Sequence, residues 1–170
     1  MCKAIPLEIL SIMENKNDRP LVSFIVTTYN LPTTLLCECL QSILSLSLSK
    51  EEREIIVVDD GSEVSPLNDL VELRDKIVYV RQRNKGLSEA RNMGLVCAQG
   101  KFIQFVDGDD YLIQAPYEHC LDIARYKDAD IILFHETEEE QPEVPFECNG
   151  PMTGSAYMHQ YNLRASACGY

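Results

Sequence analysis

The sequence contains no hydrophobic run that approaches the roughly 18 residues of a membrane-spanning helix. Its first twenty residues also lack the basic start and the continuous apolar stretch of a secretory signal. The seven cysteines are odd in number and include no Cys-x-x-Cys pair, which favours reduced thiols over a disulfide or zinc framework. These absences predict a cytoplasmic protein without a membrane span, which could also lie peripherally at the inner face of the membrane.

Positive charge is also scarce, since 15 Lys and Arg residues stand against 27 Asp and Glu residues and the formal net charge is −12. Nucleic acid is therefore not an expected partner, because binding to phosphates requires Lys and Arg to displace counterions. Part of the negative charge lies in residues 136–147, which hold six glutamates, two prolines and no basic residue. This composition predicts an exposed acidic loop without chemistry of its own.

Short apolar runs alternate with helical patterns between residues 21 and 135, which predicts a single α/β core preceded by an N-terminal extension over residues 1–20. Residues 5, 9, 12 and 13 of the extension are apolar, as in a short amphipathic helix. Helical crossovers between strands imply a mostly parallel sheet. The predicted strands are residues 22–27, 54–58, 77–80, 102–106 and 131–134, and the predicted helices are residues 36–46, 66–74, 87–98 and a segment that begins at Pro116.

Three carboxylates, Asp107, Asp109 and Asp110, follow the fourth predicted strand directly. Parallel strands deliver such residues to the carboxyl edge of the sheet, where open α/β folds bind their ligands. Like charges that are crowded together are relieved by protonation or by a bound cation, and oxygen ligands favour Mg²⁺, Mn²⁺ or Ca²⁺ over Zn²⁺. A solvated turn is the alternative interpretation, since Asp and Gly are common turn residues.

Two other predicted strands also end in polar residues, Thr27 to Asn30 after the first and Asp59 and Asp60 after the second. Tyr29 offers a flat face on which a base can stack, and an aspartate can accept hydrogen bonds from base N–H groups. Four basic residues near the third crossover could reach the phosphates of a nucleotide. They are Arg81, Arg83, Lys85 and Arg91.

Taken together, these segments resemble glycosyltransferase family 2, an inverting family with a GT-A fold. The resemblance lies in four blocks in the same order, residues 22–30 (VSFIVTTYN), 56–62 (IVVDDGS), 84–92 (NKGLSEARN) and 105–112 (FVDGDDYL). It implies a Rossmann-like three-layer α/β/α sandwich with a mostly parallel central sheet. It also implies a transferase that takes a sugar from a nucleotide-diphosphate sugar, with UDP as the default nucleotide.

The resemblance further implies roles for individual residues. Asp109, with Asp110 next, is expected to bind Mn²⁺ or Mg²⁺, while Asp107 would face the nucleotide or sugar. Asp60, and with it Asp59, would bind the pyrimidine. The remaining nucleotide-sugar-binding residues expected are Thr27, Tyr29, Asn30, Lys85 and Arg91.

The reaction implied by the family is a single displacement at the anomeric carbon, in which a carboxylate deprotonates the acceptor hydroxyl. That base usually lies well beyond the metal motif, and only sixty residues follow Asp110. We therefore expect residues 136–170 to hold the acidic loop and the start of a truncated acceptor-binding half, and we name no catalytic base. The acceptor is expected to be a glycan or a lipid-linked molecule, by analogy with bacterial polysaccharide and glycoconjugate assembly.

Two alternatives belong to other classes of protein. The chain could bind a nucleotide sugar without transferring it. A phosphoacceptor receiver domain also combines an aspartate pair with a later aspartate, here Asp60 and Asp107. However, the pair of a receiver follows the first strand rather than the second, and no lysine stands at the end of the last predicted strand, where His135 and Glu136 follow Phe134.

Overall fold

The structure, a computed structural model, describes residues 19–134 and 150–160. Predictions about residues 1–18, about residues 135–149, which include the acidic loop, and about the last ten residues lie outside the described residues. The chain separates into two compact units, residues 1–128 and residues 129–170. Each unit is described by itself below.

The first unit is built on a sheet of four parallel strands in the order β3-β2-β1-β4. The strands are β1 (Val22–Thr28), β2 (Arg53–Asp59), β3 (Val78–Arg81) and β4 (Phe102–Asp107). Every residue of β1 is buried, as expected for an apolar run at the centre of a parallel sheet with both faces covered. Four of the predicted strands are therefore confirmed, with ends that differ by no more than one residue.

Helices cover both faces of this sheet. Helix α1 (Thr33–Leu44) buries Leu36, Cys39, Leu40 and Ile43, whose helical spacing forms one apolar face. It shares a core with α3 (Gln114–Tyr126), while α2 (Leu87–Cys97) packs on the opposite face around Ile25 and Ile56. The predicted three-layer α/β/α arrangement is confirmed.

Two details of the helices differ from the predictions. Residues 66–74 do not form an α-helix but two 3₁₀ helices, Pro66–Asn68 and Val71–Lys76, the first capped by Ser65. Helix α3 begins two residues before Pro116, which stands in its first turn, where the missing N–H of a proline costs nothing.

In the second unit, the described residues contain one helix, α4 (Gly154–Gln160), and residues 129–134 have no regular structure. The predicted fifth strand at residues 131–134 is therefore wrong. Ile131 is 77% exposed and Leu133 61% exposed. An apolar run becomes a strand only where a neighbouring strand pairs with its backbone, and none of the described residues pairs with this run.

Candidate functional site

Polar side chains from three strands meet at the carboxyl edge of the sheet. The strand register sets Thr28 opposite Asp59 on one side of β1, and Thr27 opposite Asp107 on the other. The chain order reverses between β1 and β4, so this edge includes the switch point at which doubly wound sheets bind ligands. The sequence-based prediction that these strand ends converge is confirmed.

Asp107 lies at the centre of this edge. Its Oδ1 accepts a hydrogen bond from Arg91 Nη2 at 2.9 Å and another from Thr27 Oγ1 at 3.3 Å. The Arg91 guanidinium also stacks over the Phe105 ring, 5.6 Å from its centroid, a cation–π arrangement. The structure thus brings together three of the predicted site residues, Thr27, Arg91 and Asp107.

Arg91 also has a buried Nε with no hydrogen-bond partner among the described residues. A buried N–H group that lacks an acceptor costs free energy until it finds one. This nitrogen is shielded from solvent, so a ligand at the carboxyl edge would reach the guanidinium only at its other nitrogens. The proposed role of Arg91 toward the nucleotide stays a prediction.

The residues that follow β4 form a tight structure, called the acidic turn below and defined as residues 107–112. The Asp110 N–H donates to the Asp107 carbonyl at 2.9 Å, and the Gly108 N–H donates to the Thr27 carbonyl at 3.0 Å. Gly108 has no room for a side chain, because a Cβ there would lie 2.8 Å from Thr27 O. Asp109 and Asp110 are exposed on the turn.

A divalent cation is compatible with this turn but is not held by protein ligands alone. The described residues include no group of three or more His, Cys, Asp or Glu side chains arranged to hold a metal ion. Mg²⁺ and similar hard cations are often bound through one or two carboxylates together with substrate phosphates. The exposed carboxylate of Asp109 suits a cation whose remaining ligands come from a diphosphate.

Asp59 is engaged entirely within the protein. It is fully buried, and its carboxylate accepts hydrogen bonds from the Ser62 N–H at 2.8 Å and from the Tyr79 hydroxyl at 2.7 Å. It also pairs with Arg81, whose Nε lies 3.2 Å away. In the described structure Asp59 therefore joins β2 to β3 and has no surface left for a ligand.

Asp60 organises the loop between β3 and α2. Its Oδ1 accepts from Gln82 Nε2 at 2.6 Å and from the Lys85 N–H at 3.0 Å, while its Oδ2 accepts from the Gly86 N–H at 2.8 Å. Burial raises the pKa of Asp60, but these hydrogen bonds outweigh burial and leave the pKa below its ordinary value. The contact found for Lys85 is thus made by its backbone, and its side chain is exposed.

Tyr29 and Asn30 stand together at the end of β1 but differ in their surroundings. Tyr29 is 51% exposed, so its ring is accessible to a ligand. Asn30 has a φ of 49°, a left-handed conformation that Asn tolerates better than most residues. Its N–H donates to Ser62 Oγ at 2.9 Å and its Oδ1 accepts from the Glu63 N–H at 2.8 Å. Asn30 therefore ties the β1 and β2 strand ends together.

A groove of about 470 Å³ opens beside these strand ends. It is lined by Gly61 and by residues 81–84, among them Arg81 and Arg83. The predicted basic residues therefore fall into two groups, one of which pairs with aspartates. Arg81 and Arg91 are paired with Asp59 and Asp107, whereas the exposed side chain of Arg83 borders the groove.

Sequence reasoning missed two residues that contact the acidic turn, Cys39 and Ser42 of α1. Cys39 Sγ lies 3.7 Å from the Asp107 carbonyl, and Ser42 Oγ lies 3.0 Å from the Leu112 nitrogen. Cys39 lies on the buried face of α1. The predicted helix over residues 36–46 could not reveal which loop would pass over this face.

Solved structures with this architecture define the class of protein. S. aureus TarS 1–349 matches with a TM-score of 0.52 at 33% identity, over 61% of this chain and 31% of that one. The mannosyltransferase PcManGT from Pyrobaculum calidifontis, solved with GDP-Man and Mn²⁺, matches with a TM-score of 0.51 at 28% identity, over 61% of this chain and 30% of that one. The fold is that of the GT-A glycosyltransferases.

The sequence comparison is more specific. The model of glycosyl transferase family 2 matches residues 23–147, and the chain belongs to this family. An uncharacterized glycosyltransferase, EpsJ of Bacillus subtilis, is 36% identical over 134 residues, which are 74% of this chain and 38% of EpsJ. The poly(ribitol-phosphate) beta-glucosyltransferase of Bacillus spizizenii is 34% identical over 117 residues, 66% of this chain and 18% of the enzyme. The chain thus spans well under half the length of these relatives.

Among the described residues, no helix combines the length and the apolar character needed to cross a membrane.

Proposed function

We propose that this chain forms the donor-binding part of a glycosyltransferase that moves a sugar from a nucleotide-diphosphate sugar to an acceptor hydroxyl. The observation that carries the proposal is the network of Thr27, Arg91 and Asp107 at the carboxyl edge, within a fold shared with TarS. TarS 1–349 has been solved with UDP-GlcNAc and with UDP. We accordingly propose a UDP-sugar as the donor.

The nucleoside is proposed to bind beside the ends of β1 and β2. Tyr29 offers an exposed ring for stacking on the base, and the groove bordered by Arg83 lies at the adjoining strand ends. Asp60 is buried, and its carboxylate already accepts three hydrogen bonds. We therefore propose that Asp60 mainly holds residues 82–86 in a conformation that faces the base. Any direct contact between Asp60 and the base would use the lone pairs of its carboxylate that accept no hydrogen bond from the protein.

Asp107 is proposed to bind a hydroxyl of the ribose or of the donor sugar. Arg91 and Thr27 both occupy Oδ1 of Asp107, which leaves Oδ2 as the acceptor for a ligand hydroxyl. The Arg91 guanidinium fixes the direction of that carboxylate. It also places positive charge next to the site of an anionic ligand.

The diphosphate requires positive charge at the acidic turn. Asp109, with Asp110 beside it, is proposed to hold Mn²⁺ or Mg²⁺, which when bound would stabilise the negative charge of the departing diphosphate. Transfer with inversion needs a general base for the acceptor hydroxyl, and we assign that role to none of the described residues. The acceptor is proposed to be a glycan or a lipid-linked molecule of polysaccharide or glycoconjugate biosynthesis, at the cytoplasmic side of the membrane.

Thermal unfolding with nucleotides tests the donor site. The 170-residue chain would be heated with UDP, GDP or ADP, each with and without Mn²⁺. A ligand at about 100 times its dissociation constant should add about 2.7 kcal/mol, which corresponds to roughly 5–10 °C for a domain of this size. We expect a Mn²⁺-dependent shift with UDP.

A pair of double variants makes the test specific. Asp109→Ala, Asp110→Ala removes two carboxylates from the acidic turn, and Asp128→Ala, Asp130→Ala removes two exposed carboxylates after α3. The first variant should lose the Mn²⁺-dependent shift and the second should keep it. Equal loss in both variants, or no shift with any nucleotide in the unaltered chain, would refute the proposed donor site.

Release of UDP from UDP-sugars distinguishes transfer from simple binding. A chain that binds UDP but releases none from any UDP-sugar, with or without glycan acceptors, would be a nucleotide-sugar-binding protein rather than an enzyme on its own. If transfer occurs, the anomeric configuration of the product tests inversion.

A further inference from the structure

We propose that Ser42 and Cys39 of α1 are positioning residues that set the affinity of the acidic turn for its divalent cation. The inference rests on the proposed function, because it concerns the cation that Asp109 and Asp110 would hold. It adds two residues of a different helix to that site. Neither would touch the cation or the nucleotide.

Cys39 fixes the beginning of the acidic turn. Its thiol is fully buried and donates to the Asp107 carbonyl, with 3.7 Å between sulfur and oxygen. Burial raises the pKa of the Cys39 thiol above its ordinary value. The sulfur therefore keeps its proton at neutral pH and can serve as the donor.

Ser42 fixes the end of the turn. Its hydroxyl accepts a hydrogen bond from the Leu112 N–H at 3.0 Å and donates one to the Cys39 carbonyl at 2.7 Å. The hydroxyl thus links the last residue of the turn to the helix backbone. Because Ser42 lies three residues after Cys39, both side chains project from the same face of α1.

The consequence is that one helix holds both ends of the turn while its middle stays exposed. Asp109 and Asp110 lie between the two attachment points, Asp107 and Leu112. Residues that orient metal ligands without touching the metal typically contribute 10–100-fold to metal affinity. Cys39 and Ser42 are in the position to make such a contribution here.

Ser45, the residue that caps the C-terminus of α1, offers a matched control for Ser42. Ser45 is an exposed serine that also donates to the carbonyl three residues before it, Ser42 O at 2.8 Å, but its hydroxyl makes no hydrogen bond to the acidic turn within the described part of the chain. Ser42→Ala and Ser45→Ala therefore remove the same group and the same local hydrogen bond. Only Ser42→Ala also removes the acceptor of the Leu112 N–H.

The experiment measures Mn²⁺ affinity directly, by electron paramagnetic resonance of free Mn²⁺ at saturating UDP. We expect Ser42→Ala to weaken Mn²⁺ binding about 10-fold, while Ser45→Ala and Ser42→Thr bind Mn²⁺ like the unaltered chain. UDP affinity without metal should be the same in all four proteins. In metal-free protein, the Leu112 amide should exchange with solvent faster in Ser42→Ala alone. Cys39→Ala should weaken Mn²⁺ binding in the same direction, and it replaces Ser42→Ala if that variant does not fold.

Two outcomes would overturn the inference while leaving the proposed function intact. One is unchanged Mn²⁺ affinity in the Ser42→Ala and Cys39→Ala variants. The other is a loss of Mn²⁺ affinity in Ser45→Ala equal to that in Ser42→Ala, which would indicate a general effect on the helix. If the unaltered chain binds UDP without any dependence on Mn²⁺, the cation part of the proposed function fails, and this inference fails with it.

Discussion

Arg91 Nη2 lies 2.9 Å from Asp107 Oδ1, and this ion pair joins α2 to the end of β4. Both side chains are about one-third exposed, 36% for Arg91 and 39% for Asp107. A pair this accessible adds little to folding, on the order of 1 kcal/mol or less. Its importance lies in the direction that it gives to the Asp107 carboxylate.

Replacement of Arg91 by alanine should therefore reduce nucleotide affinity more than stability. We expect Arg91→Ala to weaken UDP binding by roughly 10-fold, as for the loss of a charge-assisted hydrogen bond. Isothermal titration calorimetry measures the affinity, and urea unfolding measures the stability. Lys101→Ala is the matched control, because Lys101 also sits over a β4 phenylalanine, Phe102, but at the opposite end of the strand. Equal losses of UDP affinity in the two variants would contradict the assignment.

Tyr29→Ala should weaken nucleotide binding, whereas Tyr29→Phe should preserve it. The ring is 51% exposed, and stacking of a base on an aromatic side chain is worth about 1–3 kcal/mol. Separate titrations with UDP and with pyrophosphate, which lacks uridine, distinguish the contribution of the nucleoside from that of the phosphates. Tyr126, 78% exposed at the last residue of α3, serves as a control for the loss of an exposed tyrosine. Loss of UDP affinity in Tyr29→Phe would indicate that the hydroxyl rather than the ring binds the ligand.

Gly108→Ala should destabilise the fold at the acidic turn. An added Cβ would lie 2.8 Å from Thr27 O and 3.0 Å from Leu31 Cδ2, so β1 or the turn would have to move. Overpacking of this kind costs about 1–3 kcal/mol in the free energy of unfolding. Gly150→Ala, where an added Cβ meets nothing within 4 Å, should change it by no more than about 0.5 kcal/mol. Urea unfolding compares the two, and similar values would show that the turn adapts.

Asp60→Asn should remove a pH-dependent contribution to stability. The folded-state pKa of Asp60 is below its ordinary value of 3.8, so its stabilisation is fully present above that value and is lost as the pH falls through the lower, folded-state pKa. At pH 7 the variant should be about 2 kcal/mol less stable, because an amide cannot accept from the same donors with the strength of a carboxylate. The difference from the unaltered chain should shrink below pH 3.8.

Urea unfolding at several pH values between neutral and acidic conditions tests this dependence. Asp75→Asn, which replaces an exposed carboxylate of a 3₁₀ helix, controls for the loss of one negative charge. A stability difference for Asp60→Asn that stays constant down to the lowest pH measured would contradict the link to the ionised carboxylate.

The sequence predicted the sheet well for a specific physical reason. Strands β1 and β2 are runs of apolar, mostly β-branched residues that end in polar ones, and both are buried along most of their length. The run at residues 131–134 (IILF) is also apolar, but composition does not supply the neighbouring strand that its backbone needs. The prediction failed for this run because strand formation depends on a partner elsewhere in the chain.

The site was predicted in outline but not in its contacts. The motif blocks located the strand ends, and Thr27, Arg91 and Asp107 meet there. The spacing of the motif blocks could not show that Tyr79 and Arg81 of the next strand bind the carboxylate of Asp59. It also could not show that Cys39 and Ser42 lie beside the acidic turn, since that contact joins segments about 70 residues apart.

The hydrogen bonds of Asn30 to Ser62 and Glu63, and those of Asp60 to Lys85 and Gly86, mean that the loops after β1 and β2 each supply partners for the loop of the next strand. An engineer who grafts one loop from a relative to change donor specificity would leave acceptors or donors unmatched in its neighbours. Loops at this edge must therefore be exchanged together with the residues that they bind. For the same reason, substitutions in different loops should not combine additively, and double-mutant cycles across them should show coupling.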